Sequence, residues 1–136
     1  IDETVVMITV SDKLLFTSGS YRVNPKANNL LQRLADVINS EPAMEVLIEG
    51  HTDAQTVKPG SYIKDNWDLS VERSTAVIRK LQEDYDVDPA KLIAAGRSSY
   101  QPIAENETKE GRSTNRRTRI VILPNLDKFL ALLSAN

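Results

Sequence analysis

Apolar positions along the chain fall into two rhythms. Thr4 to Val10 (TVVMITV) is a short continuous run rich in β-branched residues, the pattern of a strand buried on both faces. Met44 to Glu49 (MEVLIE) and Thr118 to Leu123 (TRIVIL) alternate, as strands with one packed face do, and Leu92 to Ala95, closed by Gly96, fits a fourth strand. Between the strands the period lengthens. Ala27, Leu30, Leu31, Leu34, Val37 and Ile38 predict a helix with one buried stripe. It opens at Asn24-Pro25, where the Asn side chain can accept from free N–H groups, and ends near Ser40 before Glu41-Pro42. A second helix opens at Trp67-Asp68 and runs through Gln82, with Leu69, Arg73, Val77, Leu81 and Tyr85 on its inward line. Leu126, Phe129, Leu130 and Leu133 repeat at helical spacing in a last segment.

The connections are polar. Phe16 is expected to plug the core, with Thr17 to Ser20 exposing backbone groups after it, and a plain connection fits the stretch about as well. His51 to Asn66 is a long loop, and Arg97 to Asn115, without periodicity, reads as another on the surface. The order β-α-β-α-β-β predicts an α+β fold, a two-layer sandwich with a mixed sheet of about four strands, helices on one face, and a C-terminal helix. A chain of 136 residues needs one domain, here residues 1–124. Residues 125–136 are expected to be a helical extension that packs on the body, supplies a homodimer contact or begins a further segment.

Composition narrows the function classes. At 40% hydrophobic and 26% charged residues the chain is an ordinary globular one, and its net charge of −2 argues against binding nucleic acid through a general basic surface. There is no cysteine to regulate by oxidation. No apolar run approaches a membrane span, and the chain begins at Ile1 without a signal-like segment. It therefore reads as a portion of a longer protein, whose missing remainder would supply any membrane contact.

One residue breaks the apolar pattern. Arg73 lies on a helix line otherwise filled by inward-packing side chains, and a buried guanidinium needs a partner or a ligand. Asp53, just past the second strand, is the nearest candidate in the sequence. Together they could grip a small zwitterion, the carboxylate on Asp53 taking an ammonium and the fork of Arg73 taking a carboxylate. An Asp53–Arg73 salt bridge fits the pattern equally well. Alternation sends Arg117 and Arg119 to one face of the last strand and leaves Arg116 at its start, where it could add a donor to an anion, although a solvated, salt-bridged strand end is the default for each of these arginines. An enzyme fits less well: the chain has one His, no Cys and no serine in a G-x-S-x-G context. His51 and Asp53 could hold a metal, as a metal-dependent hydrolase would require, but lack a third ligand.

Four motifs, in order, carry a family resemblance: GHTD (Gly50 to Asp53), NWDLSVERSTAVIRKL (Asn66 to Leu81), AAGRSSYQPIAEN (Ala94 to Asn106) and NRRTRIVI (Asn115 to Ile122). Together they resemble the OmpA-like C-terminal domain, whose family includes the peptidoglycan-associated lipoprotein and the periplasmic domain of the flagellar stator protein MotB. The resemblance spans about Leu14 to Leu123. It implies non-covalent, non-catalytic binding of peptidoglycan through the meso-diaminopimelate of its stem peptide, without a cofactor. The protein would be periplasmic, part of an outer-membrane or envelope-anchored protein of a Gram-negative bacterium. By the same resemblance Asp53 meets the ligand's ammonium and Arg73 its carboxylate. Thr52, Asn66, Leu69 and Arg116 line the pocket, and Ser18 and Gly19 add backbone contacts. Three departures stand out. The Ala54 to Asp65 loop is longer than in compact members and closer to the MotB form, Ala54 and Ser74 replace the usual Asn and Ala, and the terminal helix lies outside the shared core. A rival expectation is an interaction domain of the same fold that has lost the ligand and uses the long loop and terminal helix as its surface.

Overall fold

The structure, a computed structural model, describes residues 6–17, 20–58, 62–124 and 134. The β-branched and alternating stretches form β1 (Val6–Ser11), β2 (Met44–His51), β3 (Leu92–Gly96) and β4 (Arg117–Pro124). They make one sheet in the order β1-β4-β2-β3. β4 runs antiparallel to β1 and β2, whereas β2 and β3 are parallel. Three strands therefore end at one edge of the sheet, where β4 begins: Ser11 and His51 both pair with Arg117, and Gly50 pairs with Gly96. Residues just beyond those strand ends are brought together whatever their separation in sequence.

The helices are α1 (Asp12–Leu15), α2 (Asn28–Ser40), α3 (Asn66–Tyr85) and α4 (Lys109–Asn115). Val10, Val46, Ile48 and Ile120 of the sheet pack with Leu31, Leu34, Ala35 and Ile38 of α2 and Val77 and Leu81 of α3 in one core. This is the expected α+β arrangement. Asn24 caps a short 3-10 turn, Pro25–Ala27, by accepting from the Lys26 N–H, and that turn leads into α2. Asp65 caps α3, accepting from the Asp68 N–H. Near its start α3 lies so close to the sheet that a Cβ on Gly50 would sit 2.3 Å from the Ser70 carbonyl oxygen. The opposite face of the sheet carries charge. Glu49 bonds His51 at 2.5 Å, Arg97 at 3.2 Å and Arg119 at 3.1 Å.

Three expectations are corrected. β1 is not buried on both faces: it is an outer strand, and Val6, Met7 and Ile8 are exposed while only Val10 reaches the core. Val37 is exposed because the buried stripe of α2 turns through Leu31, Leu34, Ala35 and Ile38 instead. The stretch from Arg97 to Asn115 is not all loop, since its last seven residues form α4. That helix is polar nearly all round, burying only Gly111 and Asn115, so it has no apolar period to read. The expected terminal helix in residues 125–136 lies outside the described residues, apart from an exposed Ser134.

Candidate ligand-binding cleft

Where the strands end, a cleft of about 930 Å³ opens between the start of α3 and the loops after β1 and β2. Thr52, Asp53, Asn66, Leu69, Arg73 and Arg116, six of the residues expected at a site, all line it. Ser18 and Gly19 lie outside the described residues. Phe16, Ile63, Val57, Tyr21 and Tyr62 add apolar wall, and Lys13, Lys58, Asn24 and Gln55 are among the polar residues that complete the lining.

The ion pairing differs from the expected one. Arg73 bonds Asp12, not Asp53, at 2.7 Å, and Asp53 instead accepts from Arg116 at 2.6 Å. Arg116 also lies 3.6 Å from Asp12, so the four side chains alternate as Arg73, Asp12, Arg116, Asp53. Their charges cancel in pairs. Asp12 follows β1 as Asp53 follows β2, and Arg116 immediately precedes β4, so the register of the sheet assembles the group. Phe16, buried as expected, lies beneath the Arg73 guanidinium, 5.3 Å from ring centroid to Cζ. Burial pushes the Asp12 carboxyl above its ordinary range despite Arg73 and Arg116, and burial likewise lowers Arg73.

Hydrogen-bonding capacity remains in the cleft beyond these four ion-paired side chains. The Arg73 Nε is buried and has no hydrogen-bond partner among the described residues. Asp53 accepts from the Gln55 N–H through Oδ1 and from Arg116 through Oδ2, which leaves lone pairs on both oxygens. Asn66 donates to the carbonyls of Asp53 and Gln55, at 3.3 and 3.0 Å, and so fastens the start of the long loop to α3. Thr52 is held by its N–H to the Ser98 carbonyl and by its hydroxyl to the Asp53 carbonyl.

His51 and Asp53 do not share a site. His51 turns to the charged face of the sheet, bonds Glu49 and does not line the cleft. Among the described residues no group of three His, Cys, Asp or Glu side chains is arranged to hold a metal ion. Asp12 is the residue that reading the sequence missed. The signal for it is positional, an acid directly after the first strand, matching the acid after the second.

Fold and cleft together define a class: an α+β domain with a cleft of paired acids and arginines at the ends of three co-directed strands. The OmpA family model matches residues 15–116, and the chain belongs to that family. Domains of the family bind peptidoglycan and anchor envelope proteins. Motility protein B of Bacillus subtilis is 34% identical over 119 residues, 88% of this chain and 45% of that protein. The periplasmic domain of Helicobacter pylori MotB has 26% identity and a TM-score of 0.79, covering 99% of this chain and 87% of that one. The peptidoglycan-associated lipoprotein from Burkholderia pseudomallei has 29% identity and a TM-score of 0.69 over 85% of this chain and 89% of that one. The chain thus spans less than half the length of that Bacillus relative. The periplasmic location expected from the sequence agrees with that of the Helicobacter pylori domain. No described helix is long and apolar enough to cross a membrane.

Proposed function

We propose that the cleft binds peptidoglycan non-covalently through the diaminopimelate of its stem peptide, and that the domain thereby anchors a larger envelope protein to the cell wall without catalysing a reaction. The observation that carries the reading is the buried Arg73 guanidinium, opening on the cleft with its Nε unpartnered, near an Asp53 that retains lone pairs. The end of a diaminopimelate side chain bears an ammonium and a carboxylate on one carbon. The ammonium goes to Asp53 and the carboxylate to Arg73, with Arg116 between them able to turn toward the added negative charge. The methylenes behind that end run along Leu69, Ile63 and Phe16. The name of the Burkholderia neighbour is consistent with the same polymer.

The test compares two stem peptides by calorimetry, one carrying meso-diaminopimelate and one carrying lysine, which lacks the terminal carboxylate. Saturable binding of the first alone is expected, with a loss of about tenfold or more in Arg73→Lys, which keeps the charge beside Asp12 but not the two-pronged donor. A folded protein that binds neither peptide overturns the reading and leaves an interaction domain of the same fold.

A further inference from the structure

A second hollow, of about 300 Å³, adjoins the cleft and is lined by Thr56, Lys64, Ser99 and two aromatic residues, Trp67 and Tyr100. It shares Thr56, Val57 and Asn66 with the first, so the two lie side by side. Trp67 is 49% and Tyr100 70% exposed, large aromatic surfaces left facing water. Their ring centroids are 5.5 Å apart with planes inclined at 41°, an angled platform rather than a closed stack.

That platform is held in position. The Ser70 hydroxyl donates to the Trp67 carbonyl at 3.0 Å and accepts the Ser98 N–H at 3.1 Å, joining the backbones that carry the two rings. Ser98 has a φ of 53°, a left-handed conformation that disfavours a residue with a side chain. It is held there from both sides, because its carbonyl also accepts the Thr52 N–H at 2.9 Å. The Tyr100 N–H then closes the turn on the Arg97 carbonyl at 3.4 Å. Strain retained at the base of an exposed aromatic residue suits a presented binding surface. The same Thr52 links this turn to Asp53 in the first cleft.

Exposed rings beside hydroxyl and ammonium groups match a pyranose, whose axial C–H bonds give it an apolar face and whose rim carries hydroxyl and acetamido groups. We propose that Trp67 and Tyr100 form a subsite for an amino-sugar ring of the glycan strand, next to the cleft that takes the stem peptide. The subsite rests on the peptidoglycan reading above, and it makes the ligand a sugar-bearing peptide rather than the peptide alone.

Trp67 is the only tryptophan in the sequence, so its fluorescence reports on this surface and nowhere else. The experiment titrates the protein with a diaminopimelate stem peptide, with the same peptide joined to its N-acetylglucosamine–N-acetylmuramic acid disaccharide, and with the disaccharide alone. The disaccharide-peptide is expected to change Trp67 emission and to bind roughly fivefold more tightly than the free peptide, the increment one aromatic contact supplies. Tyr100→Ala, and Trp67→Ala followed by calorimetry, should each erase that preference while leaving the affinity for the free peptide unchanged. Equal affinity for the two peptides with emission unmoved overturns the subsite, as does a preference that survives both substitutions. A free peptide that fails to bind while the sugar-bearing ligands still change the emission removes the stem-peptide reading and leaves the subsite standing.

Discussion

Arg73 is legible in the sequence because periodicity alone turns it inward, and no other cation shares that helix line. Its partner is not, since Asp12 and Arg73 meet only after β1, β4 and β2 have paired in register. This changes what substitution should do. The Asp12 and Arg73 side chains are 11% and 6% exposed, and removing one leaves the other largely desolvated. Arg73→Ala is therefore expected to cost about 3 kcal/mol in urea unfolding as well as ligand binding. Asp53→Ala should cost about 1 kcal/mol or less while weakening binding as much, because its partner Arg116 is 29% exposed and keeps Asp12 nearby. Equal stability losses in the two variants would contradict this assignment of pairs. The test of Arg73 by conservative replacement follows from the same geometry.

At the scale of elements, the strands and the two long helices are readable because each buries one regular face. What escapes is held by polar contacts, which leave no period. Asn115, fully buried at the end of α4, accepts the N–H groups of Ile103 and Ala104 and donates to the Ala104 carbonyl and to Asn106. One amide thus organises the segment that the sequence presents only as a polar loop. Asn115→Ala should destabilise the domain by about 2–3 kcal/mol, with hydrogen exchange rising first at Ile103 and Ala104. Unchanged protection at those amides would mean that the segment is held elsewhere. Close approach is equally hidden. Gly50 looks like a simple strand end, yet a Cβ there would meet the Ser70 carbonyl, a backbone group that cannot swing aside. Gly50→Ala is expected to lower stability by about 2 kcal/mol and, by displacing α3, to weaken ligand binding too.

Over the whole molecule, buried charge is divided between the outer face of the sheet and the cleft at the strand ends, and the two groups respond to acid in opposite senses. On the face away from the helices, His51 is lowered from its ordinary 6.5 chiefly by burial, against the pull of Glu49 and with Arg117 and Arg119 also opposing its charge. Glu49 falls below its ordinary 4.5: burial raises it, but His51, Arg97 and Arg119 together outweigh burial. A histidine depressed in the folded state takes up its proton first in the unfolded chain. Its contribution to stability is complete above about pH 6.5 and is lost as pH falls toward its folded value. Glu49, also depressed, contributes fully above about pH 4.5 and loses that contribution below it. Asp12, raised above 3.8 by burial, works the other way: its charged form costs stability, and acid relieves the cost. Stability should therefore begin to decline below pH 6.5 and fall further below 4.5. In His51→Gln the midpoint of urea unfolding should decline less between pH 7 and 5 than in the wild type, whereas in Asp12→Asn, without the compensating group, the decline toward pH 4 should be steeper. Parallel curves for all three proteins would show that these buried groups do not set the acid response. The His51 site lies outside the cleft, so binding measured near pH 7 should be the same in His51→Gln as in the wild type, which separates the charge that holds the sheet from the charge offered to the ligand.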